Sequence, residues 1–183
     1  MKSLALVFLL IPASAAASSK IVRNSMGGDI EVASAPNGAV LRTMGGDIRL
    51  DRAGGDVVVK TMGGNIRVNR LDGSLEAGTM GGNVRVEVEG AGTGRSIKIT
   101  SLGGHIEVTL PKDFGASFDV ELEQDDDGEP HKIISDFPLR IQGSTRRRWF
   151  HTVDVLTATG KSGSGGNRVR VSAVGGDITI RGK

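Results

Sequence analysis

An all-β fold is predicted for this 183-residue chain: a parallel β-solenoid, β-helix-like, of about 18 residues per coil, with two main strands per coil and irregular strands towards the C-terminus. Three observations predict it. Met-Gly-Gly-Asp-Ile or a near copy begins at Met26, Met44, Met62 and Met80, 18 residues apart each time, with looser copies at Leu102 and Val174. Apolar residues within each copy fall two apart, the period of a strand rather than a helix. The chain also carries 28 Gly and many β-branched residues, a composition that opposes helix. A fixed period of this length marks an architecture in which each repeat buries its apolar face only by stacking on the next.

Taken in order, residues 1–17 read as a cleavable signal peptide: Lys2, then an apolar run from Leu4 to Ile11, then small residues around Ala13-Ser14-Ala15. The run is too short to span a bilayer, and no transmembrane segment is expected in the mature chain. Export implies a secreted or periplasmic protein. The chain has no Cys, so packing and backbone ladders must supply its stability. Removing Lys2 with the leader leaves 22 basic and 21 acidic residues, a net charge of about +1. That balance, with one Trp and no Tyr, argues against nucleic acid as a partner.

Residues 18–110 form the regular section, and halving the period resolves it. Units of nine run GGDIEVASA from Gly27, PNGAVLRTM from Pro36, GGDIRLDRA from Gly45, GGDVVVKTM from Gly54 and GGNIRVNRL from Gly63. DGSLEAGTM and GGNVRVEVE follow; Gly90 to Thr93 is then an insert, and GRSIKITSL and GGHIEVTLP resume the phase. Each nine is a corner followed by a strand whose positions 4 and 6 point inward. One sheet then buries Ala39 with Leu41, Val57 with Val59, and Leu75 with Ala77. The other buries Ile30, Ile48, Ile66, Val84 and Ile106, each with its partner two residues on. Position 9 supplies Met44, Met62, Met80 and Leu102, expected to fill the core at a corner because Met adapts to irregular gaps.

Residues 111–183 form an irregular section and a closing coil of the same domain. Gly115 to Glu123 alternates as a longer strand, Gln124 to Pro130 is an acidic turn, and Lys132 to Phe137 returns as that strand's partner. Further strands are expected at Leu139 to Gln142 and Trp149 to Leu156. Lys161 to Gly166 is a loop, after which Arg168 to Ser172 and Asp177 to Arg181 restore the repeat.

The Gly-Gly-Asp-Ile repeats, Leu110-Pro111-Lys112-Asp113-Phe114-Gly115-Ala116, Ser135-Asp136-Phe137-Pro138-Leu139 and the final Gly175-Gly176-Asp177-Ile178 together resemble a bacterial family of domains of unknown function that carries the name adhesin. The resemblance implies an exported β-solenoid over most of residues 20–183 and brings no catalytic motif. This chain departs from the family pattern at His105 and at Arg146-Arg147-Arg148.

Two columns of side chains are candidate sites. Position 3 stacks Asp29, Asp47, Asn65, Asn83 and His105 about 5 Å apart. Calcium is one use of clustered oxygens, but the calcium β-roll needs Gly at position 4 and Asp at position 6, where this chain has Ile or Val and Val or Leu. A polar corner ladder serving the backbone is favoured. Position 5 stacks Arg49, Arg67 and Arg85 between Glu31 and Glu107, with Arg52 and Arg70 nearby. Stacked guanidinium groups suit carboxylate, sulfate or phosphate; a solvated charged face is the alternative, favoured by the intervening acids. The Asp125-Asp126-Asp127-Gly128 turn lacks the Glu that an EF-hand needs at its twelfth position. The run Arg146 to His151 is either an anionic contact or a basic turn entering a strand. His105, His131 and His151 are scattered, so no metal, cofactor or catalytic residue is assigned.

The expected function is therefore non-enzymatic: an adhesin-like or cell-envelope structural and binding protein. It would present a repetitive sheet face to an envelope or host polysaccharide, another anionic polymer, or an envelope protein. An accessory role in envelope stress sensing, with one protein partner, is the alternative. A polysaccharide-acting β-helix enzyme is a third. Solenoid ends also offer end-to-end self-association.

Overall fold

The computed structural model describes residues 19–124, 130–148 and 151–183. The expected leader, the Asp125–Gly128 turn, and Trp149 and Phe150 lie outside these described residues. Among them the chain is all-β, with no helix. Its strands are β1 (Ile21–Asn24), β2 (Ile30–Val32), β3 (Ala39–Arg42), β4 (Ile48–Leu50), β5 (Ala53–Lys60), β6 (Ile66–Thr79), β7 (Val84–Val88) and β8 (Ser96–Ser101). β9 (Ile106–Leu110), β10 (Ala116–Glu123), β11 (Ile133–Ser135), β12 (Leu139–Arg148), β13 (His151–Ser162), β14 (Asn167–Val174) and β15 (Ile178–Gly182) follow.

Parallel pairing arranges most of these strands in two stacks, which β6 joins into one sheet. The first runs β1, β3, β5, the second half of β6, then β8; the second runs β2, β4, the first half of β6, β7, β9. Ile30 sits beside Ile48, Ile48 beside Ile66 and Ile66 beside Val84, each partner 18 residues on. Across the Gly90–Thr93 insert the offset becomes 22, as Val84 meets Ile106 and Leu75 meets Ile97. The Arg95 guanidinium pins the insert, donating to the carbonyls of Glu89 and Gly90 and pairing with Asp72.

The expected inward pairs are buried on both stacks. Each fully buried Leu, Ile or Val contributes about 1.5–3 kcal/mol relative to exposure. The second stack repeats Ile or Val in register, while on the first a small residue at one inward site accompanies a larger one at the other, as with Ala39 and Leu41 or Leu75 and Ala77. Position 9, in contrast, does not fill the core. Met44, Met62, Met80 and Leu102 are 52, 48, 51 and 50% exposed. The inward place beside them belongs to Thr43, Thr61, Thr79 and Ser101, all buried. Each hydroxyl has two corner contacts. Thr61 Oγ1 donates to the Gly46 carbonyl (3.0 Å) and accepts from the Gly64 N–H (3.2 Å); Thr79 does the same with Gly64 (3.0 Å) and Gly82 (3.1 Å). A thioether in that place could not donate to the carbonyl, so the hydroxyl takes the inside and Met is turned out.

The C-terminal third also departs from the sequence expectation in its pairing. β10 lies antiparallel to β13 and parallel to β14, whereas β11 pairs with β15 and not with β10. The closing coil is inserted into the stacks: β14 sits between β8 and β10, and β15 between β9 and β11. Beyond β10, β13 and β12 form an antiparallel hairpin longer than expected, and Arg146 Nη1 ties it to Glu121 on β10 at 2.8 Å. Phe114, Phe118, Val120 and Leu122 carry the core into this section, with Phe118 and Phe137 ring centroids 5.1 Å apart.

Candidate functional site

Positions 3 and 5 of one strand point to the same side. The second stack therefore brings the two candidate columns together along one face. They line a groove of about 570 Å³ with Ile48, Ile66 and Val84 between them. Arg49, Arg67 and Arg85 are direct neighbours on consecutive rungs, flanked by Glu31 beyond Arg49 and Glu107 beyond Arg85. Arg52 and Arg70, expected nearby, are exposed outside this lining.

The position-3 column is committed to the backbone. Asp29 Oδ1 accepts the Asp47 N–H (2.8 Å), Asp47 Oδ1 the Asn65 N–H (2.7 Å), Asn65 Oδ1 the Asn83 N–H (2.9 Å) and Asn83 Oδ1 the His105 N–H (2.8 Å). His105 extends the ladder into the inserted coil: its Nδ1 accepts the Asp177 N–H (2.9 Å), and Asp177 Oδ1 accepts the Lys132 N–H (2.8 Å). An imidazole nitrogen thus replaces the carboxylate or amide oxygen used elsewhere, without placing a second carboxylate one rung from Asp177. Nδ1 accepts only as the unprotonated nitrogen, which sets the tautomer. His105→Asn is expected to keep this bond and stability within about 0.5 kcal/mol, whereas His105→Ala costs about 1 kcal/mol. Urea melts, together with the exchange rate of the Asp177 amide, check the difference.

This commitment changes the electrostatics of the arginines. Asp47 bonds Asn65, and Asp51 accepts from Asn69 Nδ2 at 2.8 Å, so the acids flanking Arg49 are directed along the stack. Among the described residues only Arg85 of the three makes an ion pair, with Glu107, which Arg181 also approaches at 3.7 Å. Arg67 stands between Arg49 and Arg85 on rungs about 4.8 Å apart, and of these two neighbours only Arg85 has its charge offset, by Glu107; like charges on adjacent rungs cost free energy that a bound anion relieves. The third and fourth of the five rungs carry Asn65 and Asn83 in place of Asp, so Arg67 has no carboxylate at position 3 of its own rung. No group of three or more His, Asp or Glu among the described residues is placed to hold a metal ion. No described helix is long and apolar enough to cross a membrane.

The first stack offers a second face. Met44, Met62, Met80 and Leu102 form a row along a shallow groove of about 540 Å³, bordered by Arg42, Lys60 and Lys98. Lys60 Nζ pairs with Glu76 at 2.8 Å. The hydrogen bond and charge of Lys60 hold the Glu76 carboxyl below the usual range. Lowered relative to the unfolded chain, it adds stability above the ordinary Glu range, and this is lost as pH falls through the lowered value. With the two side chains 46 and 45% exposed, the contribution is small. Lys60→Ala is expected to move the Glu76 titration upward, measured by NMR of the carboxyl carbon.

A family model described as Toastrack DUF4097 matches residues 7–181, nearly the whole chain. The chain belongs to the Toastrack DUF4097 family. This membership agrees with an all-β, solenoid-like architecture and identifies a domain of unknown function. Comparison with curated proteins and with solved structures returned no match. Two features of this Toastrack chain escaped sequence reasoning, the buried hydroxyl column and the outward Met row. Counting the two-residue alternation on to position 8 in TMGG would have found both.

Proposed function

We propose that this chain is an exported, non-enzymatic parallel β-solenoid of 18-residue coils that holds an anionic polymer of the cell envelope, in the manner of an adhesin. The polymer lies along the stack axis, its carboxylate, sulfate or phosphate groups met in turn by Arg49, Arg67 and Arg85. The observation that carries this reading is the in-register arginine column at the centre of a groove, with Arg67 between two like charges. Guanidinium groups bind such anions in bidentate fashion, and a repeating ligand matches a repeating column. The role of the position-3 ladder is to fix the rungs that carry the arginines, not to touch the ligand.

The test is a quantitative pull-down of the protein against envelope polysaccharides and a detergent-solubilised envelope extract, at low and high salt. Replacing Arg49, Arg67 and Arg85 together by Gln is expected to lower polymer binding at least tenfold while leaving the circular dichroism spectrum unchanged. Binding that survives both salt and the triple substitution sinks the site. Release of sugar products from a bound polysaccharide would point to an enzyme instead. The reading of the chain as an accessory with one protein partner is favoured by a different observation, the exposed Met row.

A further inference from the structure

We propose that the Met44–Met62–Met80–Leu102 row is a docking groove for an amphipathic α-helix of a protein partner, with acidic residues along the helix flanks. This site lies on the other stack from the arginine column, so the two stand or fall separately. Its first support is the placement of the row. The four side chains are turned out of the core by the buried hydroxyls at the preceding position, and each is half exposed. Corner hydrogen bonds, such as Met80 N–H to the Met62 carbonyl at 3.2 Å, keep them one rung apart. Gly78, whose absent side chain would sit between Lys60 and Thr100, leaves a recess in the face beside the row.

Spacing selects the occupant. Rungs repeat about every 4.8 Å, while an amphipathic helix presents one apolar anchor per turn, about every 5.4 Å. Over three steps the mismatch is only about 2 Å, which flexible Met side chains absorb. A strand lying along the same line would instead point successive side chains to opposite sides, and only alternate ones would reach the row. A helix laid along the stack therefore meets the row with its i, i+4, i+7 and i+11 positions, the groove mode of helix recognition. Charge selects the flanks: Arg42, Lys60 and Lys98 border the groove, and Glu76 alone among the bordering residues is acidic and is already paired with Lys60. The row is short, so the contact belongs with transient interfaces of micromolar strength rather than obligate ones.

Fluorescence anisotropy with three labelled peptides of about 18 residues tests this against the full chain. One carries a single apolar stripe at helical spacing with Glu flanks, one the same stripe with Lys flanks, and one is a scramble of the first. The acidic amphipathic peptide is expected to saturate, and the other two to bind at least tenfold more weakly. Met62→Glu with Met80→Glu should weaken binding at least tenfold, while Met62→Leu with Met80→Leu should retain it. Both doubles should keep the parent melting temperature, because these side chains are already half in water. The Arg49/Arg67/Arg85 triple variant should bind the peptide as the parent does. Equal binding of the scramble, indifference to the Glu double, or absence of saturation overturns the proposal. So does capture by anionic phosphatidylglycerol vesicles without peptide binding, which would make the row a lipid contact.

Discussion

Gly64→Ala is expected to destabilise the protein by about 3–5 kcal/mol, while Gly63→Ala changes stability by less than about 1 kcal/mol. The two glycines are neighbours in one Met-Gly-Gly corner, but only the second touches the rung before it. A Cβ on Gly64 would overlap the Gly46 carbonyl and come within 2.8 Å of the Asp47 nitrogen; one on Gly63 meets nothing closer than 3.9 Å. The obstacle is backbone, which cannot swing aside without parting the rungs and their Thr61 hydroxyl bridge. Gly46, Gly82 and Gly104 share the constraint, and Gly45 and Gly81 share the freedom. Gly63→Ala can even stabilise slightly, because it restricts the unfolded chain. Thermal melts of the two variants check the contrast, with a fall of roughly 10 °C or more expected for Gly64→Ala alone.

Asn167→Ala is expected to cost about 2–4 kcal/mol and to loosen the closing coil before the rest of the molecule. Asn167 opens β14 and is 3% exposed. Its Oδ1 accepts the Arg95 N–H at 2.9 Å, and its Nδ2 donates to the carbonyls of Gly92 (2.8 Å) and Gly115 (3.0 Å). One amide therefore joins the inserted coil to the Gly90–Thr93 insert on one side and to the entry of β10 on the other. Alanine leaves the Arg95 N–H and the Gly92 carbonyl without this partner. Asn167→Asp keeps the acceptor but turns an oxygen towards two carbonyls, so it should be no better tolerated. Native-state hydrogen exchange reads the effect as faster exchange in β14 and β15, with little change in β3 to β5.

Much of this architecture was legible in the chain because it is periodic. Residues such as Ile30, Ile48 and Ile66 announce their own register, and the insert at Gly90–Thr93 accounts for the change of offset from 18 to 22. The bulge between Val68 and Leu71, after which Leu71 meets Val88, has no such signal in the sequence. The position-3 ladder was legible too, since short polar side chains at a corner have nearby backbone N–H groups to satisfy. Position 9 departs from the expectation because strand parity, not apolar character, decides which way it faces. At the corner the backbone needed a hydroxyl more than the core needed a thioether. The insertion of β14 and β15 between earlier rungs was not legible. Gly175-Gly176-Asp177-Ile178 shows that the repeat returns, but its place in the stack is set by long-range fit with Asn167, His105 and β10. The groove itself follows from register, which joins two columns that are separate lines in the sequence.

The most direct test of the arginine groove is an NMR titration of its guanidinium Nε–H signals with a short anionic oligosaccharide drawn from the polymer that the pull-down retains. Saturable shifts are expected at Arg49, Arg67 and Arg85, largest at Arg67, weakening as salt is raised, with Arg140 and Arg168 unmoved. Saturable binding whose shifts fall elsewhere, leaving Arg67 unchanged, would contradict it.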